Sequence, residues 1–174
     1  MPNRQLLLLR HAKAVIGEGN MRDIDRPLAP RGERAAKLMG RYMADHDLIP
    51  ARVLCSPARR TRQTWEIAAA ELPKIETRIV DDLYDFGDGE ALLSVIRQEG
   101  GGASRLLLVT HNPATQTLAL SLAGSGGQAL RQQMMEKYPT AGLAVLSFPG
   151  EDWAATAEGA GRLEAFLRPR DLEG

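Results

Sequence analysis

The chain has 174 residues, a length that suits one domain built on a single core. Lysine plus arginine equals aspartate plus glutamate at 22 each, so the formal net charge is zero. That argues against a general nucleic-acid binder, which needs a basic surface to neutralise phosphates. A single cysteine, Cys55, cannot close an internal disulfide and has no metal-type Cys/His spacing around it, so a reducing, cytoplasmic location is expected.

In chain order, the first element is carried by LLLLRHAK, Leu6 to Lys13. Four apolar residues are too few for a signal peptide, which needs about 7–15, or for a membrane span, which needs about 20. No membrane association is expected. A short unbroken apolar run instead fits a strand buried on both faces, as in a parallel sheet. Residues 30–46 follow as a helix, with Ala35, Leu38, Met39, Tyr42 and Met43 forming its stripe. A strand is predicted over 52–55, a helix over 57–72, a helix over 90–98 and a strand over 105–110. A helix over 113–123 stops before Gly124, and strands over 142–148 and 161–169 lie side by side. The glycine clusters at 100–102 and 124–127 read as loops. Neither makes a phosphate loop ending in Lys-Ser/Thr or a dinucleotide fingerprint, so nucleotide binding is not expected. Strands alternating with helices predict an α/β fold, three layers with a largely parallel central sheet.

Three predicted strands end in chemically related residues: Arg10-His11, then SPARRTRQT from Ser56 to Thr64, then THNP from Thr110 to Pro113. Ser56-Pro57 and Asn112-Pro113 share one grammar, an N-cap residue followed by proline at the first helical position. Each should start a helix at the carboxyl edge of the sheet, where open α/β sheets bind ligands and helix N-termini favour anions. Arg59, Arg60 and Arg62 in the first turns of one helix oppose its dipole unless an anion sits there too. Singly, His11 reads as a structural histidine, RRTR as a solvated helix face and His111 as part of a turn. Jointly they predict a phosphate-like ligand. His46, between Asp45 and Asp47 after a helix, reads as exposed or as a C-terminal contact.

Phosphoryl transfer asks mainly for positioning and for positive charge around the transferred oxygens, which arginine supplies through its permanent charge and bidentate fork. Arginines near an imidazole disfavour its protonation and leave a lone pair free to attack phosphorus. A hydrogen bond from the other ring nitrogen to a backbone carbonyl would fix the tautomer. A second histidine can donate to a phosphoryl oxygen where charge develops. This chemistry needs no metal or other cofactor.

Together LLLLRHAK, DRPLAPRGERAAKLM, VLCSPARRTRQTWE and LLLVTHNP resemble the histidine phosphatase, or phosphoglycerate-mutase-like, superfamily, and within it the SixA-type phosphohistidine phosphatases. The family's Arg-His-Gly stands here as Arg10-His11-Ala12. The resemblance implies that His11 is the phosphorylated nucleophile and that Arg10, Arg60 and His111 bind the phosphoryl group. Arg60 matches the arginine of Ser-Pro-x-x-Arg-x-x-Gln-Thr, so Arg59 is expected on another face. The implied partner is a phosphorylated protein carrying phosphohistidine, or a small phosphorylated molecule.

Larger members of the superfamily supply a carboxylic acid for an alkoxide leaving group. Here VDDLYDFGDGE offers Asp82, Asp85, Asp88 and Glu90, with Asp85 preferred, and Asp23 and Asp25 are further candidates. The competing reading is an acidic loop capping the helix at Glu90. A labile P–N bond would make the acid dispensable. Two other readings stay open. A cysteine phosphatase would place its arginine after five residues intervening from Cys55, where Thr61 stands, with Arg60 one too early and Arg62 one too late. A non-catalytic phospho-ligand module would keep the pocket without turnover.

Overall fold

The computed structural model describes residues 3–173. Among them are strands β1 (Asn3–Arg10), β2 (Arg52–Cys55), β3 (Glu76–Ile79), β4 (Arg105–Thr110), β5 (Ala123–Gly126), β6 (Leu143–Pro149) and β7 (Gly161–Leu167). They form one sheet in the order β3-β2-β4-β1-β6-β7-β5. β6 is antiparallel to both of its neighbours and every other pairing is parallel. Six strands therefore point one way and β6 alone is reversed, which makes the α/β sheet largely parallel.

The four leucines of β1 explain the layering. Successive side chains on a strand alternate between faces. Leu7 and Leu9 enter a core with Met39 and Met43 of helix α1 (Pro30–Asp45) and Trp65 of α2 (Arg59–Ala69). Leu6 and Leu8 enter a second core with α3 (Glu90–Glu99), α4 (Ala114–Leu122) and Met134 of α5 (Gln128–Glu136). All four leucines are fully buried, at roughly 2 kcal/mol of favourable transfer each. A four-residue helix, α6 (Pro169–Leu172), lies against α1 and closes the chain.

Several predicted boundaries shift for local reasons. α2 starts at Arg59, not residue 57, because the Ser56 hydroxyl is engaged across the sheet, and Ala58 is the cap with no side-chain bond. α4 starts at Ala114, with Asn112 Oδ1 accepting from the Gln116 N–H at 3.2 Å. The buried face of α1 is Gly32, Ala36, Met39, Gly40 and Met43. Ala35, Leu38 and Tyr42 of the expected stripe are only half-buried. The face is rotated because glycine permits contact that a larger residue would block: a Cβ on Gly32 would lie 2.1 Å from the Lys13 carbonyl oxygen, and one on Gly40 2.5 Å from that of Ala68.

Residues 124–127 are not all loop. Ala123–Gly126 forms edge strand β5, where Gly124 presses so close to Gly159 that a Cβ would meet its carbonyl oxygen at 1.8 Å. β3 has no apolar alternation to reveal it; its Glu76 and Arg78 are exposed charges of the kind that protect an edge strand.

Candidate active site

β1, β2 and β4 are mutually parallel, so the residues after all three emerge at one edge of the sheet. Neighbouring strands pin them. The Arg10 N–H donates to Gly142 O, the His11 N–H to Thr110 O, and the Ala141 N–H to the carbonyls of both Arg10 and His11. Ser56 N–H donates to Val109 O. Arg10, His11, Arg60 and Asn112 then line an open pocket of about 490 Å3 with Lys13, Asp23, Arg26 and Phe86.

His11 is nearly buried, at 9% exposure, and its Nδ1 lies 2.7 Å from the Ala12 carbonyl oxygen. A carbonyl only accepts, so Nδ1 carries the proton and a neutral ring keeps its lone pair on Nε2. The ring is held neutral: burial pushes its pKa down to about 4, against the Ala12 hydrogen bond, with Arg60, Arg10 and Arg26 adding to the fall. Ala12 is fixed in turn. Its N–H donates to Thr64 Oγ1 at 2.9 Å, and that hydroxyl donates to the Arg60 carbonyl at 2.6 Å. Gln63 Oε1 accepts from the Leu28 N–H at 2.8 Å. The Gln-Thr pair of the motif thus ties α2 to the loop that leaves β1.

Arg10 donates from Nη1 to the Tyr138 carbonyl at 2.8 Å, which also accepts from Asn112 Nδ2 at 3.2 Å. The Tyr138 hydroxyl donates to Leu8 O and accepts from the Ala144 N–H at 3.1 Å. Nothing in the pattern of the sequence singled out Tyr138, because its contribution is a backbone carbonyl on a turn.

Arg60 is buried at 1% exposure, while Arg59 is exposed. Its guanidinium meets Asp23 twice, through Nη1 to the backbone carbonyl at 2.8 Å and through Nη2 to the carboxylate at 3.0 Å. The carboxylate also accepts from Arg26 Nε at 3.0 Å and from the Tyr84 hydroxyl at 2.5 Å. Partial burial would raise the Asp23 pKa, but the hydrogen bonds from Tyr84, Arg60 and Arg26 bring it down to about 2. Asp23 is therefore ionised at neutral pH.

His111 lies beside His11, with ring centroids 5.3 Å apart. It is fully buried and does not line the pocket, because the half-exposed Phe86 ring sits 4.8 Å from it and Tyr84 5.5 Å. The Ser56 hydroxyl accepts from the Ala58 N–H at 3.3 Å and shares a hydrogen bond of 2.8 Å with His111 Nε2. The other ring nitrogen of His111, Nδ1, is buried without a partner. Burial, then His11 and the arginines Arg60 and Arg10, push the His111 pKa down to about 3, against the Asp23 carboxylate.

Asp85 does not line the pocket. Its carboxylate accepts from the Gly87 N–H at 3.1 Å, as Asp88 does from Glu90 N–H, so both shape the turn into α3. The acidic segment delivers two aromatic rings to the site, and the carboxylate that reaches the pocket is Asp23. Cys55 is buried, with its thiol pushed up to about 12 by burial, which leaves it protonated and unsuited to attack. His46 is exposed at the end of α1 and stacks on Tyr42.

Two parallel-strand ends carrying histidines, with a buried arginine between them, belong to a known class: the sequence profile of the histidine phosphatase superfamily (branch 1) matches residues 6–99, and the chain belongs to that family. The match takes in Arg10, His11 and Arg60 but stops before His111. Within the family the chain falls in the SixA-type branch. It is similar to two solved structures assigned as phosphohistidine phosphatase SixA: one from Agrobacterium tumefaciens, at 31% identity and TM-score 0.79, covering 95% of this chain and 98% of that one; and one from Nakamurella multipartitia, at 30% and 0.83, covering 96% of each. An uncharacterized protein of Mycobacterium tuberculosis is 38% identical over 93% of this chain and all of its own length. The chain is accordingly a phosphatase of phosphoglycerate-mutase-like fold. Among the described residues, no helix is long and apolar enough to cross a membrane, and no three His, Cys, Asp or Glu side chains cluster to hold a metal ion.

Proposed function

We propose that the protein hydrolyses protein phosphohistidine through a transient phosphohistidine on His11. The observation that carries this reading is the state of the His11 ring, neutral and anchored through Nδ1, with Nε2 free on a pocket lined by Arg10 and Arg60. The Nε2 lone pair attacks phosphorus, and the bond from phosphorus to the substrate imidazole breaks. That imidazole leaves with a proton taken from solvent. Water then attacks the phosphorus on His11, releasing inorganic phosphate and restoring the ring. Arg10 and Arg60 hold the phosphoryl oxygens. His111, whose Nδ1 has no partner, donates from that nitrogen to one of them when the incoming group displaces Phe86, the Ser56 hydroxyl then giving its own proton to Nε2.

The state of the acidic groups supports this substrate class. Asp23 is ionised, and Asp85 is committed to a turn, so no protonated carboxyl stands ready for an alkoxide. An imidazole leaves without one. The experiment compares a phosphohistidine peptide, a phosphoserine peptide, a sugar phosphate and an aryl phosphate, using wild type and His11→Ala. Fastest turnover of the phosphohistidine peptide, with an acid-labile, alkali-stable phosphoenzyme that vanishes in His11→Ala, is the expected result. Equal turnover of phosphoserine or sugar phosphate would overturn the substrate assignment. A phosphoenzyme persisting in His11→Ala would overturn the nucleophile.

A further inference from the structure

A second concavity, close to 800 Å3, adjoins the catalytic pocket and shares Arg10, Lys13 and Thr140 with it. Its walls come from the start of α1, the end of α5 with the turn after it, and α6. Six cations besides Arg10 line it: Lys13, Arg31, Arg34, Lys137, Arg168 and Arg170. Glu136 and Glu173 are the only carboxylates among the lining residues. Arg168 is occupied by Asp171 at 2.9 Å. The other five form no ion pair among the described residues. In a chain of zero net charge this is a local excess, and it draws anions toward the catalytic edge.

The form of the groove narrows the ligand. No aromatic side chain lines it, so a nucleobase has nothing to stack on. Lys13, Arg31, Arg34, Lys137 and Arg170 are exposed and come from four separate segments, Arg31 and Arg34 sharing α1. None is sunk in the wall as Arg60 is in the pocket. Dispersed, solvated cations suit several carboxylates spread over a surface better than one chelated phosphate. The two loops beside the pocket also carry Ile16, Met21 and Phe86, three of the five large apolar side chains exposed among the described residues. Exposed apolar side chains on the loops of the catalytic pocket fit a protein surface.

We infer that this groove docks an acidic surface of the phosphorylated protein substrate and so holds its phosphohistidine over His11. The inference rests on the protein-phosphohistidine reading above. The test uses Arg31→Glu/Arg34→Glu, both exposed in the first turns of α1, where acidic residues suit the helix dipole and the fold is not threatened. Lys37→Glu, exposed on the same helix but outside the groove, is the control. Phosphohistidine peptides with acidic or neutral flanks and an aryl phosphate are assayed at low and high salt. A fluorescein-labelled, unphosphorylated acidic peptide reports binding by anisotropy, and inorganic tripolyphosphate serves as a competing inhibitor.

In wild type, kcat/KM is expected to favour the acidic flank and to lose that preference in high salt. The double variant should lower it at least about tenfold for the acidic-flanked peptide alone and should abolish peptide binding. The Lys37 control and aryl phosphate turnover should stay near wild type. Equal kcat/KM for the two flanks in wild type would overturn the inference. So would inhibition by tripolyphosphate that the double variant relieves while peptide binding is unchanged, which would assign the groove to a small polyanion. If no phosphohistidine peptide is cleaved but aryl phosphate is, the substrate assignment fails, and the anisotropy arm still decides whether the groove binds acidic chains.

Discussion

Arg60 spends both terminal nitrogens on Asp23, so an arriving phosphoryl group has to take them from a carboxylate that is ionised at neutral pH. In the proposed mechanism Asp23 is thus a competitor of the phosphoryl group and not an acid for the leaving group. Asp23→Asn keeps the shape and removes the charge. Half-exposed ion pairs are worth up to about 1 kcal/mol, so inhibition by inorganic phosphate should tighten about two- to fivefold with kcat little changed. A large fall in kcat with unaltered phosphate inhibition would return Asp23 to the role of acid. That Arg10, His11, Arg60 and His111 gather at one edge of the sheet was legible, because apolar runs mark the strands that lead to them. Tyr84 and Phe86 were not. They sit among five carboxylates in VDDLYDFGDGE, whose charge masks the two rings.

At the scale of elements, the site depends on how tightly α1 presses on the chain leaving β1. Gly32 touches the Lys13 carbonyl, and Lys13 O also accepts from the Ala29 N–H at 2.9 Å. Gly40 makes the corresponding contact with α2 at Ala68. Alanine in a helix gains about 1 kcal/mol in propensity over glycine, but forcing a Cβ against backbone costs about 1–3 kcal/mol. The clash wins at both positions. Gly32→Ala and Gly40→Ala should both lower Tm, and Gly32→Ala alone should lower kcat/KM by about tenfold or more, since it displaces the residues after His11. An equal kinetic loss in Gly40→Ala would mean that general loosening, not the Lys13 contact, matters. A hydrophobic stripe does not announce such contacts, because they rest on absent side chains. That is why the buried face of α1 was turned from the predicted one, and why the glycine strand β5 read as loop.

For the whole molecule, two buried neutral histidines set the acid limit of stability. Both have folded pKa values below the ordinary 6.5, at about 4 for His11 and about 3 for His111. Between pH 6.5 and 4 the unfolded chain binds protons that the native chain refuses, so stability falls as the pH drops through that window. The loss is on the order of a few kcal/mol. Asp23 acts lower, where pH falls from its ordinary 3.8 toward 2 and the carboxylate gives up its partners. Tm followed from pH 7 to 4 should decline, and less steeply in His11→Asn. A flat profile in wild type would show that the histidines are not held neutral. The α/β layering was readable from alternation of strands and helices, whereas the reversal of β6 was not, since a strand's direction leaves no trace in its own apolar pattern.

The position of β1 in the sheet has a kinetic consequence. Its two partners, β4 and β6, begin only at Arg105 and Leu143. During synthesis at about 5–20 residues per second, the run of leucines stays unpaired for roughly 5–20 s before even β4 has been made. Folding is therefore governed by late, long-range closure around an early apolar segment, which makes it slow and sensitive to aggregation. The same four leucines that hold His11 in place are the stretch that a chaperone would have to shield.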